Sequence, residues 1–350
     1  MKEDTLDAYA GFLKKFFGIR VKKQSLDERF TPQASAYVKG QLEELLKSQK
    51  QEKGQLKGLD PFNRVRIGDC TTFQLPADYD QVYAGSGGDA SAAALKIFFE
   101  YDFKSAQVLC LQEEAGKRSD TKFNELALAD LQPNDLFIRD LGFYSLRFLA
   151  AIASGGAFFV SRYKITTLIH YKGKQLHLRE LISKMEPGGK LAEFEVELGG
   201  DEKIRRALGK VRLIIQKLPR RAVRQKMKKL AKDAHRKSFT PSKEQKLMCH
   251  YNVYITNAGA EKLPLETIWM LYTVRWQIEL AFKVWKSIFA IDKVKAVNIH
   301  RFQCFFYGCL ISILLTMPLV WLHKVQFWNE QNKEISEWKV YRMIFSSAPT

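Results

Sequence analysis

Cysteine is too scarce here to build a framework. Five residues (Cys70, Cys110, Cys249, Cys304, Cys309) stand alone in 350, an odd number with no CxxC pair. That excludes a disulfide scaffold and a cysteine-based zinc site, and the six scattered histidines offer no substitute. The opening MKEDTLDAYAGFLKKFF lacks the unbroken apolar run of a signal peptide, so a reduced, cytoplasmic setting is expected. Internal repeats and low-complexity tracts are missing. Negative charge is the minority, 38 Asp and Glu against 56 Lys and Arg, a net +18. A surplus of that size implies a polyanionic partner, nucleic acid first and an anionic membrane surface second. Apolar content of 46% is that of a globular protein.

Long apolar runs are rare as well, with one exception. From Cys304 to Leu322 no residue is charged, and the segment is long enough for a membrane-spanning helix. Tyr307, Gly308, Ser312, Thr316 and Pro318 within it, and the charged chain around it, favour a buried core helix.

The pattern of the remainder is mixed α/β. Residues 1–60 read as a small, basic, helical region, with a helix start at Phe30-Thr31-Pro32. In residues 65–75, Val65, Ile67, Asp69, Thr71, Phe73 and Leu75 share one face at period two, a strand signal. ALKIFFEYDF and AQVLCLQ follow as a hairpin, then a polar helical stretch (117–132). Leu136–Asp140 reads as a short strand, SLRFLAAIAS as a helix and AFFVSRY as a further strand. Residues 166–250 hold short β-like pieces and a basic run, with 15 Lys or Arg and one acid between Lys203 and Lys237. HYNVYITN is another strand, and 266–289 reads as one continuous helix. The divisions expected are 1–60, a first core segment 61–165, a mainly β insertion 166–250, a second core segment 251–325 and a tail 326–350.

An ionised carboxylate on an apolar face is costly unless a cation pairs with it. Asp69 and Asp140 each interrupt the apolar face of a strand. On the helix 266–289, Leu271, Val274, Ile278, Ala281, Phe282, Trp285 and Phe289 form an apolar stripe. Tyr272, Arg275, Glu279 and Lys286 form a narrow polar stripe at its border. Two readings stand at this point. The plainer one is that the acids reach solvent at strand ends and Glu279 makes i,i+4 pairs with Arg275 and Lys283. The other is that three acids converge on Mg²⁺, a hard ion suited to oxygen ligands. Two such ions about 4 Å apart clamp a scissile phosphate. Arg275 and Lys286 would hold flanking phosphates.

The spacing Y-x2-R-x3-E-x6-K of Tyr272, Arg275, Glu279 and Lys286, inside LYTVRWQIELAFKVWKS, resembles the YREK signature of the insertion-sequence-four family of bacterial transposases. Asp69 in RIGDCTTFQLP and Asp140 in RDLGFYS are similar to that family's first and second acid motifs, and the likeness runs from about residue 60 to 325. The resemblance implies a ribonuclease H-like mixed sheet flanked by helices and interrupted by the insertion. It implies a catalytic and metal-binding triad of Asp69, Asp140 and Glu279 with Mg²⁺, for which Mn²⁺ substitutes. The implied chemistry is cut-and-paste transposition: nicking at the element's end, a hairpin, and strand transfer to target DNA. The partners implied are double-stranded DNA, with terminal inverted repeats and target, and a second copy in a synaptic complex. The setting implied is cytoplasmic, at the nucleoid, with no membrane, and residues 304–322 become a core helix. DNA contacts are expected from Tyr272, Arg275 and Lys286, and from Arg220, Arg221, Arg224, Lys228 and Lys229 in the basic run. An aromatic that stacks on a displaced base is also implied, with Tyr251 and Tyr254 as candidates. Asp60, Asp78, Asp80, Asp89, Asp135 and Glu266 are neighbouring acids whose faces or motifs do not fit the triad. The alternative function is a transposase-derived protein that holds DNA without cutting it.

Overall fold

β-Branched and aromatic residues set the strands of this protein, and their burial shows which are central. The computed structural model describes residues 6–49, 59–88, 90–331 and 336–346, so Asp89 lies outside the described residues. Helices α1 (Leu6–Phe17), α2 (Lys23–Asp27) and α3 (Pro32–Lys47) precede strands β1 (Val65–Leu75), β2 (Ala93–Asp102) and β3 (Val108–Ala115). Then come α4 (Asn124–Ala129), β4 (Leu136–Arg139), α5 (Leu146–Ser154) and β5 (Phe158–Arg162). The next stretch holds β6 (Ile169–Tyr171), β7 (Lys174–Leu176), α6 (Leu178–Ile182), β8 (Leu191–Leu198), α7 (Glu202–Leu208), β9 (Val211–Lys217), α8 (Arg220–Arg236) and α9 (Lys243–Met248). The chain ends with β10 (Tyr251–Thr256), α10 (Ile268–Thr273), α11 (Trp276–Ser287), α12 (Ile299–Gln331) and α13 (Glu337–Ser346).

The chain divides into two units. One contains Met1–Gly54, Asp69–Arg118 and Trp276–Thr350; the other contains Gln55–Gly68 and Ser119–Arg275. β1 begins in the second unit and passes into the first at Gly68–Asp69.

In the second unit the strand order is β1-β4-β5-β10-β9-β8-β6-β7. β4 lies parallel to β1 and to β5, whereas β10, β9 and β8 run antiparallel to their neighbours, so the sheet is mixed. Helices cover it: Phe148, Leu149 and Ile152 of α5 join Phe137, Phe159, Leu213, Val253 and Ile255 of the strands in one core. In the first unit the order is β3-β2-β1, with β2 and β3 antiparallel. In the second unit β1, β4 and β5 run parallel in that order, as the ribonuclease H-like fold that the resemblance implies requires.

β1 departs from simple alternation. Val65, Arg66, Ile67 and Gly68 are all buried, and only from Thr71 to Leu75 do buried and exposed residues alternate. A strand paired in parallel and covered on both faces has no solvent side to display. Arg66 tolerates this because Asp135 accepts its Nη1 hydrogen at 3.2 Å, while Arg64 donates to the same carboxylate through Nε at 2.8 Å. Asp135 is thus a structural acid, fully buried between two arginines.

α3 starts where Thr31 and Pro32 predict, with the Thr31 hydroxyl accepting from the Ala34 amide at 3.2 Å. Residues 166–250 carry four strands and four helices, the longest being α8. There Val223, Met227, Leu230 and Ala234 recur at helical spacing on the sheltered side of a basic helix. α12 is long and apolar enough to cross a membrane by length and composition alone. Its first half buries Phe302, Phe306, Tyr307, Leu310 and Ile313, and α12 packs on α3; its second half leaves Leu315, Leu319 and Leu322 exposed.

The helix expected over 266–289 is two helices. Val274 and Arg275 donate to the carbonyls three residues back, of Leu271 and Tyr272, and this tighter turn ends α10 before α11 begins. Tyr272 and Arg275 therefore belong to the second unit, and Glu279 and Lys286 to the first.

Candidate active site

In the first unit, Asp69 stands on β1 just past the fully buried segment, and its Oδ1 accepts the Cys70 amide at 2.8 Å. α11 is seated by Ile278, Phe282, Val284 and Trp285, with the Trp285 ring 4.8 Å from Phe99 and 5.3 Å from Phe282. Burial of that stripe leaves Glu279 half-exposed at the border. Lys286 Nζ donates to the Thr72 carbonyl of β1 at 3.4 Å. One open pocket is lined by Asp69, Cys70, Glu279, Lys283, Lys286 and Asp292, among others. Two of the three predicted acids and the signature lysine thus share a pocket, 210 residues apart in the chain.

Asp292 escaped the sequence reading. Its Oδ1 is enclosed without a hydrogen-bond partner, and Oδ2 lies 4.0 Å from Lys293 Nζ. It sits in an irregular segment after α11, where no periodicity marks a face, and only folding places it in the pocket.

In the second unit, Asp140 immediately follows β4 and opens a single turn, its carbonyl accepting from the Phe143 amide at 3.1 Å. Its charge acts on Tyr272, whose ring is 5.2 Å from that of Tyr254 and 5.8 Å from the Arg275 guanidinium. Burial raises the Tyr272 phenol well above its ordinary value, and the Asp140 charge adds to this; Arg275 and Arg162 oppose. The phenol therefore stays neutral, a donor. Its buried oxygen has no hydrogen-bond partner among the described residues. Tyr254 is itself only 6% exposed, with its ring against that of Tyr272. Tyr251 is half-buried.

Arg162 also escaped the sequence reading. It ends β5, beside Tyr254 of β10 in the sheet register, and its charge acts on Tyr272, Tyr254 and Lys226. The usable signal was a lone cation at the end of the strand parallel to the one preceding Asp140. Arg220, Arg221, Arg224, Lys228 and Lys229 are all exposed on α8, as DNA contacts require.

The donor set fits Mg²⁺ in kind: carboxylate oxygens, with an enclosed oxygen at Asp292 that lacks a partner. Among the described residues, no three His, Cys, Asp or Glu side chains lie close enough together to hold a metal ion by themselves.

A family model described as a transposase DDE domain matches residues 60–315, a span that includes Asp69, Asp140 and Glu279. The transposase of insertion sequence element IS231F from Bacillus thuringiensis subsp. israelensis is 32% identical over 346 residues, 93% of this chain and 72% of its own. The transposase of IS231E from Bacillus thuringiensis subsp. finitimus is 32% identical over 360 residues, 97% of this chain and 74% of its own. The chain belongs to the DDE transposases. Its signature is that of the insertion-sequence-four type, and a more distant relative, the transposase of IS1151 from Clostridium perfringens, is 28% identical over 95% of this chain. As a DNA transposase this protein binds and cuts DNA, and its net charge of +18 suits that substrate.

Proposed function

We propose that this transposase cuts the ends of its own element with Asp69, Asp140 and Glu279 as ligands of Mg²⁺, with Mn²⁺ able to substitute. The observation that carries the reading is the shared pocket of Asp69, Glu279 and Lys286; the action of the Asp140 charge on Tyr272 supports it. Bound divalent ions would supply an activated oxygen nucleophile and offset charge on the phosphoryl oxygens. Tyr272 donates its neutral hydroxyl to a phosphate oxygen. Arg275, Arg162 and Lys286 hold phosphates next to the scissile one, which fixes the strand without reading sequence. The exposed cations of α8 add duplex contacts that release counterions.

The reaction we infer begins with hydrolysis at the terminal inverted repeat, in which water oxygen bonds to phosphorus and the 3′ oxygen leaves. The freed 3′-hydroxyl then attacks a phosphorus of the opposite strand, whose 3′ oxygen on the flanking DNA leaves, and a hairpin closes. Water attacks the hairpin phosphorus and releases the same 3′-hydroxyl, which then attacks a target phosphorus and displaces a target 3′ oxygen. Two copies would pair two ends in a synaptic complex, in the cytoplasm at the nucleoid.

The test is nicking of a duplex that carries the element's terminal repeats, in Mg²⁺, by Asp69→Asn, Asp140→Asn and Glu279→Gln. Each is expected to lower nicking at least about a hundredfold, the scale set by loss of one charge-stabilising group, with gel-shift binding kept. Nicking that survives any one change removes that residue from the triad. Binding without nicking by the unaltered protein favours the DNA-holding alternative.

A further inference from the structure

Lys226 differs from the other cations of α8. Arg224, Lys228 and Lys229 are exposed, but Lys226 is half-buried. Its ammonium donates to Asn252 Oδ1 at 2.7 Å and to the Tyr251 carbonyl at 3.3 Å, both on β10. Asn252 is held in turn by its Nδ2, which donates to Gln216 Oε1 of β9 at 3.1 Å. An ammonium carries three donors, and two neutral acceptors leave one unused. Among the described residues, no carboxylate faces it from any side. The charged and titratable groups that act on it are Arg162 of β5 and the Cys249 thiol after α9, and the aromatic neighbours on β10 are Tyr251 and Tyr254. Arg162 likewise has no acidic partner among the described residues. A half-buried ammonium that meets neutral acceptors and feels the Arg162 charge without a counterion destabilises the free protein. That arrangement is relieved by an anion that binds both.

We propose that Lys226, positioned by Asn252, is a direct ligand of one DNA phosphate, which it holds together with Arg162. The assignment rests on the DNA-binding function. The class of ligand follows from the partner: a phosphodiester is the anion a DNA-binding surface meets, and lysine holds it as a point charge.

The site makes DNA binding sensitive to pH. Burial, and then the Arg162 charge, lower the Lys226 ammonium to about 8; Cys249 opposes weakly. In the free protein Lys226 is therefore half-charged near pH 8. A phosphate at the ammonium favours the charged form and restores its ordinary range, so binding takes up a proton above that pH. Affinity is level below about pH 7 and falls as pH rises, by about tenfold between pH 7 and 9 if the ordinary pKa is fully restored.

The experiment is fluorescence anisotropy of the full chain with a labelled duplex at pH 7, 8 and 9 and constant ionic strength. Unaltered protein is expected to lose about tenfold in affinity over that range. Lys226→Arg stays cationic throughout and is expected to remove the slope, whatever its affinity at pH 7. Lys226→Gln is expected to bind more weakly at pH 7 and also to lose the slope. Cys249→Ser keeps the slope, which separates the ammonium from the neighbouring thiol. A slope that persists in Lys226→Arg overturns the assignment while leaving DNA binding intact. Absence of DNA binding by the unaltered protein at pH 7 overturns the functional reading beneath it.

Discussion

Asp135 and Asp140 lie five residues apart around β4 and should respond to amide substitution in opposite ways. Asp135 is fully buried and accepts from Arg64 Nε at 2.8 Å, Arg64 Nη2 at 2.6 Å, Arg66 Nη1 at 3.2 Å and the Gln132 amide at 3.0 Å. Arg64 and Arg66 are 8% and 1% exposed. Their charges are balanced by Asp135 and by Asp130, whose side chain is 48% exposed and pairs with Arg64 at 2.7 Å. Asp135→Asn leaves one buried positive charge unbalanced and turns an amide NH₂ toward guanidinium donors. Breaking one partner of a buried ion pair costs about 3–5 kcal/mol. Asp130 remains as a second carboxylate, so the lower end, about 3 kcal/mol, is expected here. Asp140 is half-buried at the start of a turn, and its amide substitution is expected to cost under about 1 kcal/mol. Urea unfolding followed by far-ultraviolet circular dichroism measures both. Nicking per folded molecule supplies the contrast, kept in Asp135→Asn and lost in Asp140→Asn. A loss of under about 1 kcal/mol in Asp135→Asn would refute the reasoning, because two enclosed arginines would then tolerate an unbalanced charge.

Single replacement of Arg220, Arg221, Arg224, Lys228 or Lys229 by Gln is expected to reduce the slope of log affinity against log salt by about 0.9 for each phosphate no longer neutralised. A residue whose replacement leaves the slope unchanged does not touch a phosphate. At alkaline pH, the buried phenols Tyr83 and Tyr144 should weaken the fold. Burial is the main cause that raises each to about 12, with Glu113 adding to it at Tyr83. Their folded values lie above the ordinary 10.0, so their contribution is present below pH 10 and lost as pH climbs from 10 toward 12. Phenolate absorbance of the folded protein should lag that of the urea-unfolded chain across this window, and coincident titrations would refute it.

Part of the candidate pocket was legible before folding. The period-two pattern of residues 65–75 announced a strand, and the apolar stripe of Ile278, Phe282 and Trp285 announced the seat of a helix. The four signature residues pointed to a family through their types and gaps, and the chemistry was what that resemblance implied. Local periodicity could not show that the stripe breaks at Val274–Arg275, because the same apolar spacing serves two consecutive helices as well as one. Nor could it mark Arg162 or Asp292, which sit at a strand end and in an irregular segment, where no repeat singles out a side chain.

What the sequence by itself determined is therefore chemical: a basic, DNA-directed chain, its strand and helix faces, and the acids and cations proposed to work on a phosphodiester. Tertiary structure alone decided how each charge is used. Asp135 is neutralised by two arginines, one on β1 and one just before it, while Asp69 opens into a pocket with Glu279; Lys226 donates to neutral acceptors under the charge of Arg162, while its helical neighbours face water. The reason is physical. Solvation and the field of neighbouring charges set the cost of an ionised group, and both come from residues far away in the chain that only the folded sheet brings near.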